Sequence, residues 1–206
     1  MIEEEKKEVF IVFFSIVRSI VRLLVWILNG KPTYIGKENL PKDENYILIA
    51  PHRSWIDPVY LVLATTPKQF SVMAKKELFK NPILRWLITN LNAFPVDRDK
   101  PGPSAIKKPV KSLKETDLGL IIFPSGTRHS SELKGGAVTI AKLSKKPIVP
   151  AVYSGPLTFS ELIKRKKTVV RFGKPFYVER KLEGVKDTTA YYSEKIQKIF
   201  DELDHN

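Results

Sequence analysis

The most apolar run in the chain is VFIVFFSIVRSIVRLLVWIL, residues 9–28. Its polar members Ser15, Arg18, Ser19 and Arg22 recur at i, i+3, i+4 and i+7, one narrow stripe on a helix. The spacing predicts a helix of roughly 30 Å. Two arginines near the middle disfavour a bilayer-spanning segment. A helix lying in the membrane interface would keep the stripe in water and bury the Phe, Val, Ile and Leu face. A helix packed on a soluble domain and a true span are the competing arrangements. The width of the apolar face favours lipid. The acidic flank and the lack of a small-residue cleavage site argue against a secretory signal.

Past residue 28 the pattern shortens and alternates. NGKPTYIG is turn chemistry. YILIA (46–50) reads as a buried strand, PVYLVLATT (58–66) as a helix, and QFSVMAK (69–75) as a strand. KELFK and PILRWLITN are two short helices divided at Asn81-Pro82, with Trp86 either in the core or on a membrane. AFPV (93–96) is a strand, and PSAIKKPVKSLKE (103–115) a helix kinked or broken at Pro109. LGLIIFP (118–124) is a strand, GAVTIAKLS (136–144) a helix, PIVPAVYSG (147–155) a strand, and 166–178 strand-rich. Residues 187–203 close the chain as a helix with Tyr191, Ile196, Ile199 and Phe200 on its apolar side. Strands alternating with helices predict an α/β fold with a mixed, mostly parallel sheet flanked by helices. The predicted division is an N-terminal amphipathic, membrane-associating helix over 1–31 and an α/β domain over 32–206.

Charge adds a partner class. The formal net charge is +13, and residues 58–150 hold 16 Lys+Arg against 6 Asp+Glu. Such an excess suits nucleic acid, an anionic membrane or a phosphorylated small molecule. The chain has no cysteine, which excludes disulfides, a thiol nucleophile and cysteine-ligated zinc. The three histidines, His52, His129 and His205, are too scattered to read as a histidine-rich metal site. No metal and no cofactor is expected.

One of those histidines stands in IAPHRSWIDPVY, residues 49–60. On a continuous helix His52 and Asp57 would point about 140° apart. The segment is instead a loop, because the strand ends near Ala50, Pro51 discourages helix, and Asp57-Pro58 is a natural N-cap and first turn. A loop of that length lets the carboxylate reach one imidazole nitrogen and leaves the other free for an incoming proton. The plainer alternative makes Asp57 only a cap and His52 only a surface residue. NAFPVDRDK and IIFPSGTRHS put Arg98 and the group Gly126, Thr127 and Arg128 just after two further strands, where α/β sheets offer ligand sites. Arginine suits phosphate through its planar fork. Each block taken alone is also an ordinary turn. No G-x-S-x-G serine elbow is present, so a His-Asp pair points to direct attack by a substrate hydroxyl.

In order, HRSWID (His52–Asp57), FPVDRD with Arg98, FPSGTR (Phe123–Arg128) and IVPAVY with Pro150 resemble the four blocks of the glycerolipid acyltransferase family, specifically the lysophosphatidic acid acyltransferases. The resemblance covers about residues 46–155. It implies acyl transfer from a thioester of acyl-carrier protein or coenzyme A to the 2-hydroxyl of 1-acylglycerol 3-phosphate, giving phosphatidic acid. It implies His52 as general base and Asp57 as its orienting partner. Arg98, Arg128 and Lys75 of MAKKEL would hold phosphate, with Gly126 and Thr127 beside them. The family's third block has Glu where this chain has Ser125, so the role of Ser125 toward the acceptor is carried over weakly. That departure leaves room for glycerol 3-phosphate or another lysophospholipid as acceptor. The implied setting is the cytoplasmic face of the cell membrane, with the N-terminal helix and the basic excess on an anionic surface. A nucleic-acid-binding module and a lipid-binding scaffold without turnover are the rivals from other classes. Against the first, the most aromatic segment holds only two cations, and no nucleic-acid partner is expected.

Overall fold

The computed structural model describes residues 2–97, 102–124 and 135–205, with side chains from Val12 onward. The chain runs α1 (Ile2–Asn29), β1 (Thr33–Ile35), β2 (Ile47–Ile49), α2 (Asp57–Ala64), β3 (Phe70–Lys75), α3 (Pro82–Asn90), β4 (Ala93–Val96), α4 (Ser104–Glu115), β5 (Gly119–Ile122), α5 (Gly136–Ser144), β6 (Ile148–Ser154), α6 (Phe159–Ile163), β7 (Val169–Phe172) and α7 (Thr188–His205). Among the described residues the strands form one seven-stranded sheet in the order β1-β7-β6-β2-β5-β3-β4. From β6 to β4 every pairing is parallel, β7 joins β6 antiparallel, and β1 joins β7 in parallel. The mixed, mostly parallel sheet is as the sequence predicts.

The pleat sorts β2 between two cores. Leu48 and Ala50 pack with α2, Phe70, Tyr153 and Leu162 on one face. Ile47 and Ile49 pack with α4, α5 and α7 on the other. Helices on both faces explain why the central strands read as continuous apolar runs and not as alternating ones. Gly119 opens β5 because the Phe70 ring lies 2.5 Å from where a Cβ would stand.

Several local expectations need correction. α4 is not broken at Pro109, which is buried within it. KELFK forms a tighter 3-10 turn, Lys76–Phe79. On α7 it is Tyr192, with Ile196 and Phe200, that is buried, whereas Tyr191 is 43% exposed. β1 lies inside the stretch read as turn, and α6 was not anticipated.

The orientation of α1 is the larger correction. Its two arginines are half-buried and turned to the domain, whereas Ser19 between them is exposed. Arg18 Nη1 donates to the Pro67 carbonyl at 3.4 Å and Arg22 Nη2 to Thr66 Oγ1 at 3.2 Å. Phe14, Val25 and Asn29 on the same side are buried. Asn29 Nδ2 donates to Tyr60 Oη at 3.0 Å and Thr168 Oγ1 at 2.7 Å, pinning the helix end to the domain. Val12, Ile16, Ile20, Leu23, Leu24 and Ile27 are left exposed on the opposite side. α1 is long and apolar enough to cross a membrane by length and composition, yet it lies along the domain and turns a bare apolar face outward. Trp86 is 59% exposed, edge-on to Phe13 with ring centroids 5.5 Å apart, so it is no core residue.

Candidate active site

Parallel strands share a carboxyl edge, where loops and helix starts converge. β2 delivers His52 to that edge, β3 ends there on Lys75, β4 leads to Asp97, and β5 leads to Phe123 and Pro124.

Asp57 is the first residue of α2, one position inside the place expected for a cap, and Ile56 is the cap residue. Its carboxylate is directed back into the loop, not to its own helix. Oδ2 accepts from Arg53 N at 2.6 Å and Ser54 N at 2.9 Å, and stands 3.2 Å from His52 Nδ1. Asp57 is fully buried, and the His52 side chain is 10% exposed. A buried carboxylate needs such donors to stay charged. The three nitrogens around one oxygen fix the loop and the ring together. With Nδ1 on the carboxylate, the tautomer that donates there leaves Nε2 with a free lone pair. Phe123 packs against the ring at a centroid distance of 4.3 Å, tilted by 32°.

The next two residues anchor the loop. Arg53 makes a two-pronged pair with Asp204 near the end of α7, at 2.9 and 2.6 Å, and Nη1 also lies 3.4 Å from the Tyr153 carbonyl. The hydrogen bond to Asp204 raises the Arg53 guanidinium further, and the hydrogen bond from Arg53 holds the Asp204 carboxyl below its usual range. Ser54, itself buried, donates from Oγ to the Leu157 carbonyl at 2.9 Å. Trp55 is 51% exposed. Sequence reasoning missed the Arg53–Asp204 pair. Its members are 151 positions apart and no local pattern joins them.

Lys75 is half exposed at the end of β3, its Nζ 3.8 Å from Glu77 Oε2. Lys76 pairs with Asp97. The remaining candidates, Arg98, Ser125, Gly126, Thr127 and Arg128, lie outside the described residues. In sequence they follow directly on β4 and β5. Phe123 also lines an apolar cavity of about 300 Å³ between α4, α5 and the strand ends, with Met73, Ile106, Ala137 and Ile140. One aromatic ring therefore separates the imidazole from an apolar hollow.

An acyltransferase family model matches residues 31–154. The 1-acyl-sn-glycerol-3-phosphate acyltransferase of Streptococcus pneumoniae is 48% identical over 197 residues, 93% of this chain and 73% of that one. Its namesake from Bacillus subtilis is 45% identical over 152 residues, 73% of this chain and 76% of that one. The crystal structure of the 1-acyl-sn-glycerophosphate acyltransferase of Thermotoga maritima has the same fold, with a TM-score of 0.70 at 20% identity over 98% of this chain and 84% of that one. The matched region contains the His52–Asp57 loop, the strands that carry it and all four sequence blocks, and the chain belongs to the acyltransferase family.

Proposed function

We propose that the protein transfers an acyl chain from a thioester to the 2-hydroxyl of 1-acylglycerol 3-phosphate, forming phosphatidic acid, with His52 as general base and Asp57 as its partner. The reading rests on one observation above the others: in a chain so similar to acyltransferases named for that reaction, an imidazole stands 3.2 Å from a buried carboxylate at the carboxyl edge of the sheet. His52 Nε2 accepts the hydroxyl proton while the alcohol oxygen attacks the thioester carbonyl. The tetrahedral adduct collapses, the C–S bond breaks, and the imidazolium returns the proton to the leaving thiolate. Asp57 keeps the ring in the accepting tautomer and stabilises the imidazolium. No covalent enzyme intermediate is needed.

Arg98, Arg128 and Lys75 are proposed to hold the acceptor phosphate, with Ser125, Gly126 and Thr127 beside them. Residues 1–31 serve as the membrane-associating helix and 32–206 as the acyltransferase domain, seated on the cytoplasmic face of the cell membrane. The uncovered apolar side of α1 supports that seating. The acceptor then need not leave the bilayer, where each methylene brought into water costs about 0.8 kcal/mol.

The test is turnover on vesicles holding 1-acylglycerol 3-phosphate, with acyl-carrier-protein and coenzyme A thioesters as donors. His52→Ala should lose at least ~100-fold in rate, as expected for a lost general base, and still bind vesicles. Equal rates for the two proteins would refute the assignment. Ser125, standing where the family has Glu, favours a second arm with glycerol 3-phosphate as acceptor, and faster turnover there would move the reading to that substrate.

A further inference from the structure

The catalytic loop and α6 form an exposed apolar rim that the reaction itself does not use. Trp55, three residues after His52, is 51% exposed, Leu157 43%, Phe159 57% and Ile163 54%. The Ser54 Oγ bond to the Leu157 carbonyl ties the two sides of this rim together. On α6 the buried Leu162 faces the core, while Phe159 and Ile163, an i, i+4 pair, share the outward side. Thr158 caps the helix by accepting from Glu161 N at 3.2 Å, so the outward side is a held surface. Four consecutive exposed cations follow: Lys164, Arg165, Lys166 and Lys167. The nearest carboxylate on this element, Glu161, is engaged by Lys166 at 3.1 Å and by Leu157 N at 2.7 Å. Arg165 Nη2 donates to the Ile27 carbonyl at 2.9 Å, so the cation run adjoins the carboxyl end of α1, where Leu24 and Ile27 are also exposed.

We propose that Trp55, Leu157, Phe159 and Ile163, flanked by Lys164–Lys167, form a second lipid-contacting rim that seats the mouth of the His52 site on an anionic bilayer. The proposal rests on the phospholipid reading above. Large apolar side chains ringed by cations match the layering of a membrane surface, with acyl chains below and anionic headgroups at the rim. The rim also adjoins the carboxyl end of α1, where Arg165 reaches the Ile27 carbonyl and Ile27 itself is exposed. One planar partner would cover both, whereas an acidic carrier protein would pair the lysines and leave Phe159, Ile163 and the α1 face in water. Seated this way, the loop holding the imidazole lies at the headgroup level, and an acceptor reaches it by moving sideways within the leaflet.

The test uses the full chain and vesicles of phosphatidylglycerol with brominated phosphatidylcholine. In a Trp26→Phe, Trp86→Phe background the Trp55 emission should shift to the blue and be quenched by the brominated chains; unchanged emission with vesicle-bound protein overturns the proposal. Phe159→Ser with Ile163→Ser should weaken vesicle partition about tenfold. Lys164→Glu with Lys167→Glu should do so only on anionic vesicles. Thermal melting by circular dichroism confirms that the variants fold. Unchanged partition for both pairs overturns the proposal, as does binding of acyl-carrier protein without lipid that the lysine variants abolish while vesicle binding persists. Failure of the underlying reading is distinct: the wild-type protein would then turn over neither dispersed short-chain acceptor nor acceptor in vesicles.

Discussion

Two apolar stretches of this chain meet opposite fates. Ile47, Leu48, Ile49 and Ala50 at and just after β2 have no exposed surface, covered by α2 on one face and by α5 and α7 on the other. α1 is comparably apolar over its second half, yet Ile16, Ile20, Leu23, Leu24 and Ile27 are more than half exposed. The side of α1 that docks is the less apolar one, through Arg18, Arg22 and Asn29. The lesson is that hydrophobicity says only that a surface must leave water. What covers it is decided by the polar groups that orient the segment. In β2 the cover is protein. For α1 the polar anchors use up the protein side and leave the apolar side uncovered by the described residues.

The contrast can be broken from each end. Leu48→Ala should destabilise the fold by about 2–5 kcal/mol, read from the denaturant midpoint, because its neighbours close on it from all sides. Asn29→Ala should cost roughly 1–3 kcal/mol by leaving the Tyr60 and Thr168 hydroxyls without their shared donor. Ile20→Ser with Leu24→Ser should leave the denaturant midpoint within the change typical of surface positions, about 0.5 kcal/mol, while vesicle partition falls about tenfold. A large loss of stability in that variant would place the α1 face in a protein contact. The smallest effect belongs to the Arg53–Asp204 pair. The folded Asp204 carboxyl is held below its usual range by the hydrogen bond from Arg53. The pair therefore contributes fully above the usual carboxylate range and loses its contribution as pH falls through the depressed folded value. Asp204→Asn should flatten that acid limb and change neutral-pH stability by less than about 1 kcal/mol, since both side chains are a third exposed. An unaltered acid limb would show that the pair carries none of it.

How legible this was in the sequence varied with range. AFPV and GAVTIAKLS have the bounds the pattern predicts, because each is a short run closed by turn residues or helix breakers. His52 and Asp57 could be paired by eye because one short loop leads from the first to the second, at the start of α2. β1 escaped notice because Thr33–Ile35 is an edge strand of three residues whose place is set by pairing with β7, far along the chain. α6 did carry a signal: Thr158 and Glu161 are a T-x-x-E capping pattern, and Thr158 does cap the helix. The arginine stripe of α1 was visible, but its direction was not. Periodicity gives the angle between residues on a helix and nothing about what lies on either side.

The way Asp57 is used has a consequence for engineering. Two of its three contacts are to the main-chain N–H groups of residues 53 and 54. Every amino acid except proline supplies that group. Substitution at these two positions therefore spares the donors themselves, proline apart, while the Arg53 and Ser54 side chains keep a separate task in tying the loop to Asp204 and to the Leu157 carbonyl. Proline at either position is the change that would unseat the carboxylate while leaving Asp57 itself intact.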